Sequence, residues 1–427
     1  MTCNNTAVTE KDLQETIELT KSLVAIQTES PEGIYYAQFV DYLESFINRE
    51  LPGVDTERVV VKAEDYKATS NTEDEIVGDR ISLILRAPAP NMPKVHISDH
   101  YDVVHAGDLS KWTITSPYEA VVHDGRLYGR GSADPKGSIA SLIQALKVIY
   151  REGRALKYDL VISFTPDGEL SNHTGLDHLI DLTQEGRDYF EVDFFLSIDG
   201  AQNYISTGKT GLIQFFITIN GQASHIARAF MGVNAIHLAS PVLVELTKLS
   251  EEICQRTSSI RVNPELPYNR VRPDLAVTTI NGGSSFESVP DKCTIQGHRL
   301  VVADESDNAM EDAMDEIVST IMRVKQKYQI PMKFKVEPAI PPFATDANHP
   351  ALRELAEIAA AGAGMKEYPT ACSEGYNDIS AVNYRLGVPM FARGVQWADS
   401  NAHSYNENIR LDALKTGIRD LVAFLSE

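Results

Sequence analysis

The chain is poor in cysteine, in positive charge and in long apolar runs. Its four cysteines in 427 residues (Cys3, Cys254, Cys293 and Cys372) are scattered, with no CxxC pair and no Cys/His cluster. That argues against a disulfide framework or a thiolate zinc site and fits a reducing compartment. Acidic residues outnumber basic ones by 60 to 39, for a formal charge of -21. Nucleic-acid binding needs clustered Lys and Arg, so nucleic acid is not an expected partner. No apolar run approaches a membrane span, and Met1 to Glu15 is polar, without the apolar core of a signal peptide. The expectation is a cytoplasmic protein with no membrane partner. What remains, 43% hydrophobic and 23% charged residues, is the composition of a globular protein, long enough for about two or three domains.

Apolar spacing predicts helices around residues 13–24 and 36–47, with Ser30-Pro31 read as the N-cap and first-turn proline of the second. Residues 63–79 are charged and threonine-rich and read as a loop. Strands at 81–85, 94–98, 159–165 and 194–198 alternate with helices at 137–150 and 176–182. This is the pattern of a mostly parallel α/β sheet. Near residue 209 the character changes. Ile213, Phe215, Ile217 and Ile219 alternate with more polar neighbours, and strands at 275–280 and 293–302 go with helices at 234–253 and 306–328. We expect an α/β catalytic domain in two parts, 1–208 and 331–427, with an α+β domain, 209–330, inserted. The second part should contain helices at 350–361 and 412–425 and a strand at 389–392.

Possible metal ligands stand at the ends of these strands, where open α/β sheets bind ligands. His100 and Asp102, two apart on an extended chain, face the same side, so that one can orient the other's imidazole. Asp134 sits in Gly129-Arg130-Gly131-Ser132-Ala133-Asp134-Pro135-Lys136-Gly137, and Pro135 makes a cis peptide after it inexpensive. Glu169 follows strand 159–165 in Thr165-Pro166-Asp167-Gly168-Glu169, Asp199 follows strand 194–198, and His403 lies in Ala402-His403-Ser404-Tyr405-Asn406-Glu407. Each alone has an ordinary reading as a turn or surface residue.

Together, HYDVV, GRGSADPKG, TPDGEL, the aspartate after FFLSI and AHSYNE resemble, in order and spacing, the aminoacylase/carboxypeptidase family of two-metal peptidases. That family includes acetylornithine deacetylase, succinyl-diaminopimelate desuccinylase and glutamate carboxypeptidase. The resemblance extends over most of the chain and includes Gly221 to His225 in the inserted domain, which in the family is a lid and dimerisation domain. It implies that His100, Asp134 and Asp199 hold one metal and that Asp134, Glu169 and His403 hold the other, Asp134 bridging. It further implies that Asp102 orients His100, that His225 stabilises an oxyanion across a dimer, and that Arg299 meets a substrate carboxylate. Nitrogen and oxygen ligands without thiolates suit Zn, Mn or Co, one or two per subunit. The implied partners are a small-molecule substrate and a second copy of the chain, as a homodimer or higher homo-oligomer.

The sequence departs from the family at Gly168, where the family has its general-base glutamate. General acid–base groups contribute about 10²–10⁴-fold in rate, so an unactivated peptide bond should be a poor substrate unless Asp167, Glu374 or Asp378 substitutes. His105, Pro135 and Glu287 are lesser departures, and Glu287 would repel a substrate carboxylate. Three readings follow. The first is metal-dependent hydrolysis of a C–N bond in an activated substrate, with metal-activated water as nucleophile and Gly168 leaving room for a flat group. One branch of the family removes an aromatic amine in this way from nitroanthranilate. The second is an amidohydrolase, a deacylase or dipeptidase, with a substitute base. The third is a metal-binding relative without catalysis. Loss of the base and the shortness of Asp199 also lead us to expect one weakly held metal.

Overall fold

Strand Lys94–His100 buries Val95, Ile97 and Asp99 on one face and His96 and Ser98 on the other, as a central parallel strand must. In the computed structural model, which describes residues 8–69, 75–170, 174–373 and 379–427, it is flanked in parallel by Asp159–Thr165 and Phe194–Ser197. Met390–Ala392 continues the parallel set beyond Phe194–Ser197. On the other side Arg80–Ala87 and then Asp55–Val61 are antiparallel. The registers pair His100 with Thr165 and Ser98 with Ser197, so the three parallel strands end side by side. Residues 100–102, 167–169 and 199 leave the sheet from one edge.

Helix Lys136–Arg151 is buried over almost its whole length and packs against Glu10–Val24 and Leu411–Leu425. Glu10–Val24 starts at a capping box: Thr9 Oγ1 accepts from the Asp12 amide and Asp12 Oδ2 from that of Thr9, at 3.2 and 2.9 Å. Helix Tyr36–Glu50 lies over Arg80–Ala87. The chain divides into two compact units, one comprising residues up to Thr207, Thr345–Thr370 and the C-terminal segment to Glu427, the other Gly208–Ala344 with β-strand residues 371–373.

The second unit has a four-stranded antiparallel sheet in the order Asp274–Gly282, Lys292–Val301, Gly211–Asn220, Met332–Ile340. Ile213, Phe215, Ile217 and Ile219 pack under helices Ala235–Cys254 and Ala309–Tyr328. Among the described residues Cys254 is exposed, Cys293 and Cys372 are buried, and all three are free thiols. Among the described residues no helix is long and apolar enough to cross a membrane.

Three local expectations need correction. Ser30-Pro31, a cis peptide, precedes the second helix, which starts only at Tyr36. Residues 63–69 form a short helix. Several strands were not legible, among them Asp55–Val61, Ile205–Lys209 and Met332–Ile340, and the last belongs to the compact unit that runs to Ala344. Asp55–Val61 and Met332–Ile340 each mix charged with apolar residues and have a single strand neighbour, the composition expected of a half-solvated edge.

Candidate metal centre

His100 closes its strand, and its ring is held by Asp102: Nδ1 lies 3.3 Å from Oδ1 and 3.1 Å from the Asp102 carbonyl. The fully buried Asp102 also accepts from the amides of Gly168 and Glu169, at 2.8 and 3.1 Å. One carboxylate thus fixes both the imidazole and the turn that carries Glu169. Asp134 faces two histidines, with Oδ1 3.3 Å from His100 Nε2 and Oδ2 3.1 Å from His403 Nε2. His403 Nε2 also lies 2.9 Å from Glu169 Oε2. Ligand atoms of His100, Asp134 and Glu169 lie within 4.8 Å of one another, as do those of Asp99, His100 and Asp199.

Asp134 owes its position to Glu407, a buried residue that the sequence pattern did not single out. Glu407 Oε1 accepts from the amides of Ala133 and Asp134 at 3.0 and 3.1 Å. Its Oε2 accepts from Gly131 N at 2.9 Å and Arg130 Nη1 at 2.7 Å. The Asp134-Pro135 peptide is cis.

The electrostatics are those of crowded acids compensated by imidazole. Burial alone would lower the His100 pKa, yet hydrogen bonds to Asp102 and Asp134 lift it well above the usual range. Hydrogen bonds to Asp134 and Glu169 push His403 up to about 10. Burial would raise the Asp134 carboxyl, but its bonds to the two histidines hold it far below normal. Burial first, and the neighbouring Asp134 second, push Glu169 up to about 7. Asp99 is raised well above the carboxylate range by burial and then by Asp199.

The residues fit a divalent cation. Glu169 Oε1 and Asp99 Oδ2 are buried and accept no hydrogen bond, and Asp134 Oδ1 has only the His100 ring beside it, at 3.3 Å, a costly state for carboxylate oxygens unless a cation satisfies them. Nitrogen and carboxylate donors without sulfur suit Zn, Mn or Co.

Other sequence-derived assignments fare differently. Gly168 leaves no open space, because a Cβ built on it would stand 2.3 Å from His100 Cγ. Asp167 is unsuited as a substitute base: Arg80 Nε, Tyr36 Oη and Thr174 Oγ1 donate to it at 2.9, 2.9 and 2.5 Å. Glu374 and Asp378 lie outside the described residues. His105 sits between Glu29 and Glu32, at 3.3 and 3.4 Å.

His225 and Arg299 belong to the second unit. His225 is exposed, and its Nδ1 accepts from Ala227 N at 3.1 Å. Arg299, expected to meet a substrate carboxylate, is fully buried, with Nη2 2.6 Å from Glu305 Oε2 and 3.7 Å from Glu316 Oε2. Its charge is already matched by these two carboxylates.

A model of peptidase family M20/M25/M40 matches residues 96–427. The succinyl-diaminopimelate desuccinylase of Nitrosospira multiformis is 34% identical over 157 residues, 36% of this chain and 41% of that enzyme, so the match spans less than half of that relative. A probable succinyl-diaminopimelate desuccinylase of Staphylococcus epidermidis is 23% identical over 361 residues, 81% of each chain. Among solved structures, an M20 family metallo-carboxypeptidase from Sulfolobus solfataricus superposes with a TM-score of 0.70 at 18% identity, covering 97% of this chain and 98% of that one. At that identity the likeness speaks for the fold. The family match runs over well more than half of the sequence, and on that ground the chain belongs to peptidase family M20/M25/M40 and is a hydrolase of C–N bonds.

Proposed function

We propose that the chain hydrolyses a C–N bond in a small molecule whose reacting carbon is already activated, with one or two divalent ions (Zn, Mn or Co) held by His100, Asp134, Glu169, Asp199 and His403. The observation that carries this reading is the convergence of buried, unpartnered carboxylate oxygens with two imidazoles, beside a residue 168 that has no side chain. When bound, such an ion lowers the pKa of water and polarises the scissile group. The protein's own residues hold the geometry: Asp102 orients His100 and the turn bearing Glu169, while Glu407 fixes the loop that aims Asp134.

No side chain at position 168 takes a proton from water or hands one to a leaving amine, and Asp167 is committed to Arg80, Tyr36 and Thr174. A substrate with an electron-poor carbon or a weakly basic leaving amine needs that help least. An activated aromatic amine such as nitroanthranilate is the specific candidate. A second reading, cleavage of an N-acyl amino acid, gains support from the desuccinylase relatives and from the His100 ring, which fills the space where a flat substrate was expected.

The test is to supply the metal-loaded protein with nitroanthranilate and with a panel of N-acyl amino acids. Ammonia release from the ring supports the first reading, and free amino acid without ammonia transfers the assignment to the second. Bound metal with neither product rejects both in favour of a non-catalytic relative. We further infer a cytoplasmic homodimer formed through the second unit, a lid in this reading, which exposes the large apolar side chains of Ile226, Phe230, Met231 and Phe286.

A further inference from the structure

Asp99 lies next to His100 in Ser98-Asp99-His100-Tyr101-Asp102, yet the strand alternation that pairs His100 with Asp102 turns it to the opposite side. The fold nevertheless brings a carboxylate oxygen of Asp99 within 4.8 Å of ligand atoms on both His100 and Asp199. Asp99 is 3% exposed. Its Oδ1 accepts from the His100 amide at 3.0 Å, whereas its Oδ2 is buried and accepts nothing. A free carboxylate oxygen at that depth has no structural justification of its own. Asp199, its neighbour in the cluster, is steadied by Gln396 Nε2, 2.9 Å from Oδ1.

We propose that Asp99 is an additional ligand on the His100–Asp199 side of the centre, so that this half binds a divalent cation more tightly than the Glu169–His403 half. The inference rests on the metal centre of the preceding section and deepens it. With Asp99, the first half offers three carboxylates (Asp99, Asp134, Asp199) and one imidazole, and the second offers two carboxylates (Asp134, Glu169) and one imidazole. More carboxylate charge strengthens the hold on a divalent cation and favours oxygen-preferring ions such as Mn. The second half also depends on His403, whose side chain is 53% exposed. The weakly held ion expected from the short Asp199 is therefore assigned to the other half.

The experiment is calorimetric titration of Mn²⁺ into chelator-stripped full-length protein, comparing the unmutated chain with Asp99→Asn and His403→Ala. Asparagine keeps the size of the side chain and its bond to the His100 amide and removes only the charge. A structural role would survive that change. The unmutated protein should show a tight and a weaker phase. Asp99→Asn should weaken the tight phase at least tenfold and spare the weaker one, and His403→Ala should do the reverse. An unchanged tight phase in a folded Asp99→Asn protein overturns the proposal while leaving the centre intact, whereas no Mn²⁺ uptake by the unmutated protein overturns both. Should Asp99→Asn fail to fold, a zinc-loaded crystal of the unmutated protein decides. Oδ2 at a coordination distance of about 2.0–2.2 Å supports the assignment, and Oδ2 pointing away from the ion refutes it.

Discussion

An added methyl group at residue 168 would stand 2.3 Å from Cγ of His100 and 2.5 Å from its Cβ, so even alanine forces the imidazole or its strand to move. Gly168→Ala and Gly168→Glu are therefore both expected to lose metal, by at least the roughly 10–100-fold that follows when a ligand's support is disturbed. Metal analysis after dialysis checks this, and a Gly168→Glu protein with full metal and higher amidase activity would contradict it. Glu407 makes a second residue-scale prediction. Its removal leaves the buried Arg130 guanidinium without its carboxylate, at a cost of roughly 3–5 kcal/mol. Glu407→Gln should lower the thermal midpoint and loosen Asp134. Four of the five metal-ligand candidates were legible in the sequence because they follow a readable strand or open a readable helix, whereas His403 was legible only from the motif Ala402–Glu407. Glu407 was harder to see, because its partners lie more than 270 positions away in the chain. Asp99 was hidden because alternation hands it to the other face, and Arg299 because nothing in a strand pattern announces Glu305.

At the scale of the element, strand Lys94–His100 carries a buried histidine as well as a ligand. His96 Nδ1 donates to the Tyr189 carbonyl at 2.8 Å and Nε2 meets Ser163 Oγ at 2.7 Å. Burial lowers its pKa from 6.5 to about 4. Between those values the unfolded chain binds a proton that the folded chain refuses, so stability declines as pH falls from 6.5 to 4. The loss is on the order of 3 kcal/mol. Denaturant unfolding across that window should show the slope, and His96→Gln should flatten it; an unchanged slope in the variant would show that His96 is not its source. Central strands such as this one read clearly from sequence because both faces are buried. Asp55–Val61 did not, since its charges reach solvent, where Arg58 pairs with Asp41 at 2.7 Å and with Glu44.

For the whole molecule, the alternating strands and helices gave the α/β class and the position of the inserted segment, whereas the end of that segment was hidden by the charged strand Met332–Ile340. Phe230 and Phe286 are 87% and 89% exposed, so sedimentation should find a dimer, and Phe230→Asp with Phe286→Asp should give a monomer that still binds metal. A monomeric unmutated protein would remove the dimer proposal. The account as a whole depends on a cation held through Asp134, the residue that faces both His100 and His403. Its most direct test is Mn²⁺ uptake by chelator-stripped protein, measured with and without Asp134→Asn. The account predicts that the unmutated chain takes up metal and that the variant loses binding in both halves together; equal uptake by the two proteins would contradict it.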